Sequence, residues 1–137
     1  MNRFDQRLRA EGLVLQRARL ETLQINVGRK CNQACRHCHV DAGPWRQEMV
    51  GRAVANRIAE WIDRYRPPVV DITGGAPELS EFFRFFVERA RQSGARVLDR
   101  CNLTILQEPG YEDLPEFLAV ERTCLLEGSR GDVHHVV

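Results

Sequence analysis

Short apolar runs alternate with amphipathic stretches along most of this chain, and that alternation restricts its fold more than any other feature. Leu23 to Val27 reads LQINV, a β-prone run closed by Gly28. Val50, Val54, Ile58, Trp61 and Ile62 then recur at helical spacing until Pro67 and Pro68 stop the pattern. PVVDIT follows as a buried-type strand and ends in Gly74–Gly75. Ser80 is placed to cap a second helix whose apolar side carries Phe82, Phe83, Phe86, Val87 and Ala90, with Gly94 at its C-terminus. A third strand is expected from about Arg96 to Leu106, and a third helix from Asp113 to about Val120. Strand–helix repetition of this kind means an α/β fold with a parallel sheet. Right-handed crossovers bring all strand C-termini to one edge, where such sheets bind ligands. The loop after Gly28, the Gly74–Gly75 turn and the end of the third strand all fall at that edge.

The flanks are plainer. Residues 1–20 form a polar, Arg-rich lead-in expected to be helical, and 21–120 carry the repeats. Residues 121–137 have no clear fourth strand: either Thr123 to Leu126 is a weak strand, or the tail is irregular or truncated. If the third strand is the last, its parallel edge stays open, a liability for aggregation.

Twenty basic residues stand against nineteen acidic ones, so no charge excess points to nucleic acid or a membrane surface. No apolar run approaches the length of a span, and the charged N-terminus lacks the core of a signal peptide. The expected location is the cytoplasm, where thiols stay reduced. Three of the five cysteines crowd into Cys31-Asn-Gln-Ala-Cys35-Arg-His-Cys38. In a reducing compartment that reads as metal ligation or catalysis before disulfides.

Thiolates suit iron–sulfur clusters or zinc. Structural zinc sites usually pair two C-x2-C knuckles, whereas here three cysteines stand together with no second pair. Three thiolates on a four-iron cube leave one iron open to a substrate. The zinc alternative would be completed by His37, His39 or Cys101 and would make the chain a small zinc-binding interaction module. Cys101 itself is expected to pack.

A C-x3-C-x2-C loop directly after a first β-strand resembles the signature of the radical SAM superfamily. The aromatic residue that family usually has before its third cysteine is replaced here by His37. The resemblance implies that Cys31, Cys35 and Cys38 hold a [4Fe–4S] cluster whose open iron chelates S-adenosylmethionine (SAM). Reduction of that cluster cleaves SAM to methionine and a 5′-deoxyadenosyl radical, with an electron from an unidentified donor. It implies a partial parallel (βα) barrel of the radical SAM type, with about three βα units present. It also implies SAM contacts from Gly74, Gly75 and Glu78, although Ala76 and Pro77 interrupt the family's Gly-Gly-Glu.

The strand faces are more polar than a sheet covered on both sides would allow. Period two groups Asn26, Asp71, Thr73, Arg100, Asn102 and Thr104 at the mouth of such a barrel. Arg100, Asn102 and Thr104 are therefore candidate SAM contacts. A purely structural Asp71–Arg100 pair explains two of these residues equally well.

The wording is more specific still. LETLQINVGRKCNQACRHCHVDAGP, VVDITGGAPEL and DRCNLTILQEPG together resemble the arsenosugar-biosynthesis radical SAM proteins, from about Leu20 to about Leu118. That resemblance implies adenosylation of a dimethylated arsenic species. A peptide-modifying radical SAM enzyme is the alternative within the superfamily. A complete eight-stranded barrel takes ~250 residues. A chain of 137 is therefore expected to be a fragment that binds a cluster yet turns over poorly or not at all.

Overall fold

The computed structural model describes residues 1–16, 18–126 and 133–135. Its centre is a sheet of four parallel strands, β1 (Thr22–Asn26), β2 (Val69–Thr73), β3 (Arg96–Asp99) and β4 (Cys124–Leu126). A fifth, β5 (Val133–His135), joins β4 antiparallel, so the sheet order is the chain order, β1 to β5. The connections carry α2 (Arg52–Tyr65), α3 (Phe83–Gln92) and α4 (Leu114–Val120). Among the described residues no helix is long and apolar enough to cross a membrane.

Register sorts the strand residues into two faces. Leu23 pairs with Val70 and Ile25 with Ile72, and these continue to Val97, Asp99 and Leu125. This face is apolar except for Asp99. It packs with Ala55 and Ile62 of α2, with Phe83, Phe86, Val87 and Ala90 of α3, and with Leu114 and Leu118 of α4 into one core. All three helices therefore cover the same side. The opposite face carries Gln24, Asn26, Asp71 and Thr73, the polar set that alternation in the sequence assigned to a mouth.

Several boundaries depart from the sequence reading. The lead-in helix, α1 (Arg3–Ala10), spans eight residues and buries none. Asn2 caps it, its Oδ1 accepting from the Asp5 N–H at 2.8 Å, and Gly12 ends it at φ 64°. Ser80 does not cap α3. Its hydroxyl accepts from the Phe82 N–H at 3.3 Å, and Phe82 is the capping residue.

The third strand is the largest correction: it stops at Asp99, not near Leu106. Beyond it the Asn102 Oδ1 accepts from the Thr104 hydroxyl at 3.1 Å and the Ile105 N–H at 3.2 Å. Leu103 adopts φ 63°, and a 3-10 turn runs over Thr104–Gln107. Side-chain bonds to the local backbone here outcompete a ladder. Arg100, Asn102 and Thr104 are accordingly not one face of a strand. The edge of β3 is not open either, because β4 pairs with it through Leu98↔Cys124 and Asp99↔Leu125. Of the two readings of the tail, the strand is the one formed, over Cys124–Leu126. Residues 127–132 and 136–137 of that tail lie outside the described residues.

Candidate functional site

The chain leaves β1 through Val27 and Gly28 and folds back on itself before α2. The Arg29 N–H donates to the Glu48 carbonyl at 2.8 Å, the Cys31 N–H to Gly43 at 3.2 Å, and the Val50 N–H to Val27 at 2.8 Å. Arg46 closes the far side of the loop onto Asp41 and Glu48. Beneath the loop Cys31, Ala42 and Ala76 form a small buried cluster, with Cys38, Val40 and Leu79 packed against it. Cys31 is buried, Cys38 half-buried and Cys35 exposed.

The Gly74–Gly75 turn locks against this loop. The Gly75 N–H donates to Gly28 O at 3.0 Å and the Ala76 N–H to Lys30 O at 2.9 Å. A Cβ on Gly75 would overlap the Lys30 carbonyl oxygen, and one on Gly74 would stand 2.8 Å from Gly28 O. The absence of side chains thus serves a backbone-to-backbone approach. The two glycines also line a cavity at the C-terminal edge of the sheet.

A cavity of about 440 Å³ opens at the C-terminal edge of the sheet. Cys31, Cys35 and Cys38 line it together with Gly74, Gly75, Arg100 and Asn102. Its floor is the polar strand face, Gln24, Asn26 and Thr73. Its volume lies within the range of small-molecule sites. The Cys31 Sγ accepts from the Gln33 N–H at 3.4 Å and from Asn102 Nδ2 at 3.6 Å, and the Cys38 Sγ accepts from the Ala42 N–H at 3.3 Å. As a set, the three sulfurs are not gathered within 4.8 Å of one another.

Sequence reasoning missed the residues that tie the cysteine loop to the segment after β3. Asn32 Oδ1 accepts from Asn102 Nδ2 at 2.8 Å, and Asn32 Nδ2 donates to Thr104 Oγ1 at 2.9 Å and Glu108 Oε1 at 3.0 Å. Thr104 is therefore a support for the cysteine loop, outside the residues that line the cavity. The adjacency of Asn32 to Cys31 was a usable signal. Glu108 carried none, being 76 residues away from its partner.

Asp71 and Arg100 form the structural pair. Arg100 Nε donates at 3.0 Å to Oδ1, Nη2 donates at 2.8 Å to Oδ2, and Gln24 Nε2 adds a third donor at 2.9 Å. Asp71 is buried while Arg100 is exposed at the cavity wall. Its Asp71 partner raises the Arg100 guanidinium pKa further. Arg100→Met should therefore destabilise the chain by about 1–3 kcal/mol in urea unfolding, since Asp71 loses its charged donor. Asp71→Leu in the same chain should restore stability, because replacing both members by apolar groups removes the orphaned charge. SAM affinity measured in that double variant then isolates any ligand role of Arg100 from its role in folding.

Glu78 lies elsewhere. It is buried in the 3-10 turn Pro77–Leu79, away from the cavity lining. One ligand atom each from Glu78, Asp99 and Cys101 lies within 4.8 Å of the other two. Burial raises all three pKa values: Glu78 by desolvation, Asp99 by desolvation and then the Glu78 charge, and Cys101 by desolvation and then both carboxylates. In chain stripped with a chelator, these carboxyl groups hold protons that the unfolded chain releases. Their contribution to stability is complete below the ordinary carboxylate range and is lost as pH rises through the raised folded values. Urea midpoints of the stripped chain should fall between acid and neutral pH, and Asp99→Asn should flatten that fall.

No family model matches the chain, and no curated protein matches it.

Proposed function

We propose that the cavity at the strand C-termini is a [4Fe–4S] and SAM site in a partial (βα) barrel of the radical SAM type. We further propose that it serves adenosylation of a dimethylated arsenic species. The observation that carries the reading is the convergence of Cys31, Cys35 and Cys38 on one cavity with Gly74, Gly75, Arg100 and Asn102. The neighbour-to-neighbour strand order, with all helices on one face and a polar opposite face, supports a barrel over a doubly wound sheet.

The donor set fits the cluster. Three thiolates at one cavity, with no second cysteine pair at knuckle spacing, favour a cube over a structural zinc ion. When bound, the cluster supplies the one-electron chemistry that cleaves SAM. The chain's own residues do the rest. Gln33, Ala42 and Asn102 donate to the ligating sulfurs, a lever on cluster potential. Arg100 has Nε and Nη2 engaged by Asp71, so Nη1 remains to meet a carboxylate such as that of SAM. The arsenic substrate rests on the resemblance of the three motif stretches.

Metal analysis after anaerobic reconstitution tests the proposal. Iron and sulfide in equal amounts, both lost in Cys35→Ser, support it. Zinc that disappears with Cys35→Ser would replace it with a zinc-binding interaction module.

A further inference from the structure

The helix-covered face of the sheet should be apolar, and Asp99 breaks that rule at the register of Ile72 and Leu125. Asp99 is fully buried, Glu78 is 5% exposed and Cys101 is fully buried. Among the described residues, neither oxygen of Glu78 and neither oxygen of Asp99 is reached by a donor from outside the cluster; the two carboxyl groups and the Cys101 thiol face one another. A buried carboxylate without a donor is costly, and native structures rarely leave one so. Four such oxygens beside one thiol need either shared protons or a cation. The Cys101 Sγ, which accepts from the Leu103 N–H at 3.2 Å, lies within 4.8 Å of a carboxylate oxygen from each of the other two residues, so one cation would satisfy all three side chains at once.

We propose that Glu78, Asp99 and Cys101 form a second metal site, for a divalent ion of the zinc class. One sulfur and two carboxylate donors within 4.8 Å suit zinc, which takes both ligand types at 2.0–2.3 Å. The mixed set is too soft for magnesium or calcium. The site joins the 3-10 turn after Gly74–Gly75 to the end of β3, next in the chain to Gly74, Gly75 and Arg100 of the cavity lining. It therefore ties down the turn that braces the cysteine loop. Glu78 is a ligand of this ion and not a contact of the cavity's occupant. The site stands on its own geometry, whether or not the cavity holds an iron–sulfur cluster.

The test uses the full chain carrying Cys31→Ser, Cys35→Ser and Cys38→Ser, so that no cavity thiol contributes. It is loaded with zinc, passed over chelating resin and analysed for metal, and loaded in parallel with cobalt for absorption spectroscopy. About one zinc per chain is expected, together with a single-thiolate charge-transfer band in the cobalt form. Adding Cys101→Ser should abolish the band, and adding Asp99→Asn should lower retained zinc at least tenfold. Zinc should also raise the melting temperature of the parent triple variant but not of its Cys101→Ser derivative, a comparison that survives if Asp99→Asn fails to fold. A parent chain that retains no zinc and melts at the same temperature with and without it would overturn the site, as would a cobalt band indifferent to Cys101→Ser.

Discussion

Cys35→Ser leaves the fold unchanged and abolishes cluster assembly: that is the largest functional effect expected of any single substitution here. Cys35 is exposed, and its Sγ–H reaches only the Gln33 Oε1, at 3.5 Å. Its replacement should move unfolding free energy by no more than about 0.5 kcal/mol, the usual range for a surface site. Iron per reconstituted chain should nevertheless fall from about four to near zero, because two thiolates do not hold a cube that needs three protein corners and a substrate-binding iron. Cys31→Ser should differ in a way that exposure dictates. Cys31 is packed with Ala42 and Ala76, so a hydroxyl there costs about 1–3 kcal/mol as well as the cluster. Iron analysis beside urea unfolding checks both. Equal destabilisation by the two variants would contradict the placement of these cysteines.

Gly75→Ala is the second large effect. The new Cβ would overlap the Lys30 carbonyl oxygen and lie 2.7 Å from the Lys30 carbonyl carbon and 2.9 Å from Arg29 O. All are backbone atoms, which cannot swing aside. Overpacking of this kind costs about 1–3 kcal/mol. Relief requires the cysteine loop to lift away, which breaks the Gly75-to-Gly28 and Ala76-to-Lys30 hydrogen bonds. Cluster loading should therefore fall with stability. Gly94→Ala is the control: it has nothing within 4 Å but a φ of 88°. It should cost about 1 kcal/mol from the backbone alone and leave loading intact. Loss of loading in both would mean that general destabilisation, not loop displacement, is responsible.

The parts legible in the sequence were those set by local periodicity. The helical spacing of Ile58, Trp61 and Ile62, the phenylalanines of α3 and the apolar runs of β1 and β2 each carry their own repeat, so helix and strand followed from a few adjacent residues. The stripe from Val50 to Ile62 was itself misplaced at one end, since Val54 is exposed, Val50 precedes the helix, and Ala55 and Ala59 join Ile62 as the buried residues of α2. Period two likewise placed Asn26, Asp71 and Thr73 together. The failures came where side chains bond locally. DRCNLT looks like a continuing strand, yet Asn102 ties down Thr104 and Ile105 and sends the backbone through φ 63° at Leu103. The candidate site divides in the same way. Three cysteines in eight positions were visible at once, and so was a glycine pair at a strand end. Hidden from the sequence were the contacts across 70 residues or more, such as Asn32 to Asn102, and the clustering of Glu78 with Asp99 and Cys101. No spacing rule links residues that only the fold brings together. Gly75 shows the intermediate case: its importance was readable, and the carbonyl it must admit was not.

The most direct test of the central claim is electron paramagnetic resonance of the anaerobically reconstituted, reduced chain, recorded with and without SAM. The account predicts a four-iron signal whose g values shift when SAM is added, because the open iron takes the ligand inside the cavity. Failure to take up a cluster, or a cluster signal indifferent to SAM, would contradict it.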